Sequence, residues 1–104
     1  METRVEKNVD LNRFEIHVGN QIAGLAAYES AAANRAFTHT EVYPQFEGQG
    51  LAKILIKFAL DATREEGLGV LPFCPFVNKY ISKNPEYLDL VPEWARERLG
   101  LPTS

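Results

Sequence analysis

The chain has 104 residues, enough for one domain, spanning 1–104, around a single modest core. Its formal net charge of −3 argues against a nucleic-acid binder, and no apolar run reaches the ~20 residues that cross a bilayer. One cysteine, Cys74, forbids an internal disulfide, and Met1 to Lys7 carry no apolar signal core, so the cytoplasm is the expected compartment.

Taken in order, a short first strand is expected around Arg4 to Val9. Arg13 to Val18 alternates, with Phe14, Ile16 and Val18 on one face and Glu15 and His17 on the wet one. Gly19-Asn20 is a hairpin turn. Gln21 to Ser30 is the partner strand, with Ile22, Leu25 and Ala27 as its apolar positions, and Ala31 to Asn34 is a loop. Arg35 to Tyr43 forms a further strand, in which Phe37, His39 and Glu41 alternate with Ala36, Thr38, Thr40 and Val42. A helix follows, its apolar face formed by Leu51, Ile54, Leu55, Phe58, Ala59 and Ala62, with Gly67 at its end. Gly69 to Phe76 is a buried strand that Pro72 and Pro75 confine to an edge, keep short or splay from its neighbour. Val77 to Lys83 is a short helix broken by Asn84-Pro85, and Pro92 to Leu99 a last helix, stopped by Gly100 and anchored by Trp94. The strand-helix-strand order gives a right-handed crossover and a parallel pair. The fold class is α/β (α+β): a mixed, mostly antiparallel sheet with a central β-α-β unit and short C-terminal helices.

The segment Glu41 to Ala52 carries the most information. A strand meets Pro44, then a loop with Gly48 and Gly50, then at once a helix. A helix's first N–H groups lack internal partners and its dipole favours negative charge, so such a turn can hold phosphate. There is no G-x-x-x-x-G-K-S/T and no G-x-G-x-x-G, which excludes a P-loop and a dinucleotide fingerprint.

What stands there is Gln45-x-x-Gly48-x-Gly50, which resembles the Q/R-x-x-G-x-G/A signature of the GNAT superfamily of acyl-CoA-dependent N-acyltransferases. F-T-H-T-E-V, P-x-F-E-G-Q-G-L-A, L-P-F-C-P-F-V and K-N-P-E-Y, in that order, are similar to very small single-domain GNAT-like proteins. The likeness covers roughly residues 13 to 91. It implies acetyl-CoA as co-substrate and an amine as acceptor, with the pyrophosphate on the backbone of Phe46, Glu47, Gly48, Gln49, Gly50 and Leu51, and Gln45 nearby. It further implies an oxyanion contact from a backbone N–H at Val42 or Tyr43. The chain departs from full-size members in one respect. The turn at Gly19-Asn20 leaves no room for the helix pair that shapes their acceptor pocket, so that side should be open or built by a partner.

Acyl transfer to an amine needs a held donor, a neutral nucleophile, oxyanion donors and a proton for the thiolate. His39 and Glu41 are the candidate bases, a histidine near its ordinary pKa being suited to neutral pH; equally, both are polar residues of a wet sheet face. Cys74, in the strand that in this fold faces the acyl group, is a candidate nucleophile or acid, or a buried packing residue. The resemblance also suggests Asn78 and Tyr80 as contacts to the pantetheine and thiolate, though their spacing departs from the larger members, and Lys79 and Lys83 as contacts to the 3′-phosphate. No metal is called for. The expected function is acetyl transfer from acetyl-CoA to an amine of unstated identity. The alternatives are a non-catalytic acyl-CoA-binding or sensing module and a protein-interaction domain.

Overall fold

A computed structural model describes residues 2–103. Five strands, β1 (Thr3–Asn8), β2 (Arg13–Val18), β3 (Gln21–Ala31), β4 (Asn34–Val42) and β5 (Gly69–Pro72), lie in the order β1-β2-β3-β4-β5. The first four pair antiparallel, and β5 joins β4 in parallel through the crossover helix α1 (Leu51–Glu65). Helices α2 (Pro75–Lys83) and α3 (Glu93–Leu99) follow, separated by the 3₁₀ turn Pro85–Leu90. This is the expected mixed, mostly antiparallel sheet with its β-α-β unit. β5 is a four-residue edge strand, as its prolines require.

Two bulges set the faces of the sheet, and both depart from simple alternation. Ile16 pairs with Gly24 but His17 with Ile22, so Ala23 is an extra residue in β3. Ala23, Ala26 and Tyr28 enter the main core cluster; of the expected Ile22, Leu25 and Ala27, Leu25 is buried outside that cluster and the other two are half-buried. In β4, Tyr28 pairs with Phe37 and Ala27 with His39, leaving Thr38 as the extra residue. A bulge puts two neighbours on one face. Thr38 and His39 are accordingly both exposed, while Phe37 and Thr40 are buried. Phe37 and His39, expected on one face, lie on opposite faces. The expected loop at Ala31 to Asn34 is a tighter turn, because Ala31 still pairs with Asn34 and only Ala32 and Ala33 connect the strands.

The core face carries Phe14 against Tyr28 at 5.5 Å and Phe37 at 6.3 Å between ring centroids. Arg35, only 5% exposed, lies over this cluster with its guanidinium 4.5 Å from the Tyr28 ring. Its charge is met by Glu66 at 2.7 Å and a hydrogen bond donated to Thr63 Oγ1 at 3.1 Å. These contacts seat α1 on that face. The buried side of α1 is Leu51, Leu55, Ile56, Ala59, Leu60 and Thr63. Ile54 and Phe58, expected to be buried, are 47% and 43% exposed. Apolar residues surround more than half of this helix, so period alone could not choose the face. Trp94 is likewise 51% exposed, and the buried residue of α3 is Ala95. His17 is half-buried, not wet: its ring sits 3.2 Å from Glu15, whose carboxylate also accepts from Arg13 and Asn8.

Pro75 opens α2 with its fixed φ at the first helical turn, ending the strand expected to run to Phe76. Phe73 is therefore exposed and Cys74 becomes the residue that caps α2. The last β4–β5 pair is Phe37 with Pro72, after which Cys74 N–H donates to Phe37 O at 2.9 Å. Beyond that point β4 continues without β5, and the two strands part.

Candidate donor cleft at the parting of β4 and β5

The parted edge of β4 leads into the glycine loop. Pro44–Phe46 forms one 3₁₀ turn, in which Phe46 N–H donates to Tyr43 O at 2.9 Å and Glu47 N–H to Pro44 O at 3.3 Å. Those two N–H groups, expected to face a pyrophosphate, are spent inside the turn. Phe46 itself plugs into the core. The loop's contribution contracts to Gly48, Gln49 and Gly50, whose N–H groups meet no protein acceptor among the described residues, with the first turn of α1 behind them. Gly48 and Gly50 hold φ of 82° and 72°, and a Cβ at either would meet nothing within 4 Å. Glycine is required here for backbone conformation, and the space above the loop is open. No side chain caps α1 and its first turn holds no acidic residue, so its positive end faces that space uncompensated. Gln45, Glu47 and Gln49 are exposed around the rim, and Leu51 is buried as the anchor.

A cavity of about 220 Å³ lies under the loop, lined by Val42, Phe46, Gly48, Gly50 and Phe76 among others. Of the two expected oxyanion donors, Tyr43 is excluded, since its N–H donates to Ala23 O at 2.8 Å. Successive strand N–H groups point to opposite edges. Val42 N–H therefore points to the other edge of β4, the one β5 has left.

The three candidate catalytic side chains are not brought together. Cys74 is 3% exposed and its thiol donates to Thr40 Oγ1 at 3.3 Å, on the α1 side of the sheet. His39 and Glu41 flank Thr40 in β4 and point to the opposite side, with side chains 64% and 43% exposed and His39 Nε2 3.9 Å from Glu41 Oε1. They form a solvated pair, beyond hydrogen-bonding distance. Asn78 is turned away from the cleft: its amide donates to Leu99 O at 3.0 Å, tying α2 to the end of α3. Tyr80 lines a groove between α1 and α2 and packs on Tyr87 at 5.9 Å; burial pushes its hydroxyl pKa up. Among the described residues, no cluster of three His, Cys, Asp or Glu side chains could hold a metal, and no helix is long and apolar enough to cross a membrane.

The comparisons with known proteins converge. Residues 13–90 match the sequence profile of the family described as GCN5-related N-acetyl-transferase. Protein NATD1 of Xenopus tropicalis is 43% identical over 53 residues, 49% of this chain and 49% of that protein, so the chain is matched to about half the length of that curated relative. Protein NATD1 of Danio rerio is 30% identical over 92 residues, covering 85% of this chain and 84% of that protein. The solution structure of a GCN5-like protein from Staphylococcus aureus superposes with a TM-score of 0.66 over 86% of this chain and 87% of the other, at 24% identity, a likeness of fold.

Proposed function

The chain belongs to the GCN5-related N-acetyltransferase family, and on that premise we propose that it binds acetyl-CoA in the β4–β5 cleft and transfers the acetyl group to an amine. The observation that carries this reading is the glycine loop: three backbone N–H groups without acceptors among the described residues, at the uncapped N-terminus of α1, opening into a cavity that reaches the free edge of β4. Acetyl-CoA supplies an activated acyl carbon, whose C–S bond breaks as the amine's C–N bond forms. Gly48, Gln49 and Gly50 hold the diphosphate. Val42 N–H, at the edge that β5 vacates, is the donor suited to a developing oxyanion. His39 and Glu41 take the proton from an acceptor approaching on the face away from α1. The Cys74 thiol, beside the cleft on the other face, is the nearest candidate to protonate the leaving thiolate.

The separation of Cys74 from His39 and Glu41 by the sheet favours direct transfer over an acyl-cysteine route, because these two candidate bases face away from the thiol. The acceptor face lacks the two helices of larger members, in keeping with an open or partner-completed site for a small or protein amine. The single cysteine fits a cytoplasmic protein.

The test is a thermal melt with and without CoA and acetyl-CoA, followed by release of free thiol with an amine panel. Ligand at a hundredfold excess over Kd stabilises by about 2.7 kcal/mol, which moves the midpoint of a domain this size by roughly 10 °C or more. No shift at millimolar ligand removes the donor reading and leaves an interaction domain. A shift without thiol release in any amine makes the protein a binding module. Thiol release unchanged in His39→Ala, Glu41→Ala removes those two as the base, and an acetyl adduct on Cys74 by mass spectrometry reinstates the acyl-cysteine route.

A further inference from the structure

The gap between β4 and β5 is closed at its narrow end by a pair of side chains. Phe37 with Pro72 is the last strand pair, and Cys74 N–H donates to Phe37 O at 2.9 Å just beyond it. Past that point the Cys74 thiol donates to Thr40 Oγ1 at 3.3 Å, so the two walls are joined through their side chains. Thr40 is 7% exposed, buried like Cys74. Thr40 and Val42 alternate with Glu41 and share the α1 side of β4, about 7 Å apart along the strand. Val42 lines the cavity under the glycine loop, whereas Thr40 and Cys74 do not. The cavity therefore ends short of the pair. Thr40 is β-branched and its hydroxyl is tied to the thiol, so it does not swing aside. Deeper along β4 stands Phe37, at 1% exposure, in packed core.

A donor whose diphosphate rests on Gly48 to Gly50 and whose carbonyl oxygen meets Val42 N–H aims the tail of its acyl group along β4 at this pair. Resting on the donor reading of the loop, we infer that Thr40, backed by Cys74, is the floor of the acyl site and limits the donor to short acyl groups. Acetyl fits above the floor. Each methylene beyond it must displace a side chain that is stiff, hydrogen-bonded and packed. Extra methylenes in a filled interior force side chains off their rotamers. One methylene changes discrimination by a closed apolar site by about 10- to 200-fold. Thr40 is in this way a specificity residue that acts by its size.

Titration calorimetry with CoA, acetyl-CoA and butyryl-CoA tests the floor with no need of an acceptor. The wild type should bind butyryl-CoA about tenfold or more weakly than acetyl-CoA. Thr40→Ala removes Oγ1 and Cγ2, close to the volume of the two carbons by which butyryl exceeds acetyl. In that variant butyryl-CoA should bind within about threefold of acetyl-CoA, while affinity for CoA itself stays as it was. Thr40→Val keeps the shape without the hydroxyl and should keep the wild-type ratio, which separates size from the lost hydrogen bond. If a melt shows that Thr40→Ala does not fold, Thr40→Ser, which loses only the methyl group, should narrow the ratio part of the way. Equal binding of acetyl-CoA and butyryl-CoA by the wild type overturns the floor and leaves the loop reading intact. So does a ratio unchanged in the folded smaller variant, or one lost equally in Thr40→Val. Binding of none of the three ligands by the wild type overturns both.

Discussion

Substituting Gly48 by Asn and by Asp isolates the electrostatics of the loop. Both side chains have the same shape, and both tolerate the left-handed backbone that Gly48 holds at φ 82°. A Cβ there meets nothing within 4 Å, so neither variant clashes within the protein. The two should fold alike, at a cost of about 1 kcal/mol relative to glycine, or roughly 4–8 °C in midpoint. The Asp variant should be the more stable of the pair, since a carboxylate near the N-terminus of α1 gains about 0.3–1 kcal/mol from the dipole. Ligand affinity should move the other way. A carboxylate about 5 Å from a phosphate oxygen costs ~0.8 kcal/mol at the dielectric of water and ~3.3 kcal/mol at an effective 20. In an open loop the cost falls between, about 1–2 kcal/mol, which weakens CoA binding about 5- to 30-fold relative to the Asn variant. Calorimetry on the two proteins at low salt reads this directly, and higher salt should narrow the gap. Equal affinities, with both proteins folded, would refute the placement of a diphosphate on this loop.

Two further predictions concern the scaffold. Ala32 holds φ 55° in the two-residue turn between β3 and β4, where an L side chain is strained. Ala32→Gly should raise stability by about 1 kcal/mol, seen as a melting point several degrees higher; a lower one would place the strain elsewhere. Glu66 is held down to a pKa of about 2, first by the hydrogen bond from Arg35 and further by Lys7, against burial. A depressed carboxylate contributes stability that is complete above its unfolded pKa, near 4.5, and is lost as pH falls toward 2. Glu66→Gln should therefore melt lower than wild type at pH 7, and the difference should close between about pH 4.5 and 2; a constant difference would rule the linkage out. Burial works to raise the carboxyl pKa of Glu15 and Asp61, but their hydrogen bonds and neighbouring cations together lower it, so both steepen the acid limb in both proteins alike.

Much of the fold could be read from the chain. The bounds of β2 follow from Phe14, Ile16 and Val18, and the glycine loop announced itself through Gly48 and Gly50. The misreadings have a common origin in backbone features that side-chain patterns do not encode. An extra residue at Ala23 and another at Thr38 shift the parity of everything after them, which is why Tyr28 stands in the core where Ala27 was expected and His39 lies opposite Phe37. Neither residue is a glycine or carries any other local mark. Tyr43 N–H and the N–H groups of Phe46 and Glu47 were lost to the site through backbone bonds that only the folded turn reveals. The groove lined by Lys53 and Lys57 of α1 and by Lys79 and Lys83 of α2 had a visible trace in those two pairs. That the pairs border one groove depends on how α1 and α2 pack, which no spacing within either helix states.

The order β1-β2-β3-β4-β5 has a consequence for how much of the chain the proposed activity needs. Residues 3–42 close four strands by short turns, each strand beside its neighbour in sequence. The fifth arrives only across α1, with Gly69 opposite Asn34, and it leads to Phe76, the one residue beyond α1 that lines the cavity. On the proposed reading, a fragment ending with α1 would retain a meander, the glycine loop and the N–H groups assigned to a diphosphate, yet lack the wall against which an acyl arm would lie. On that reading, anion binding and thioester binding are separable along the chain. The first is encoded by residue 65, and the second waits for the four residues of β5 and for Pro75, which turns the chain away and keeps the gap open.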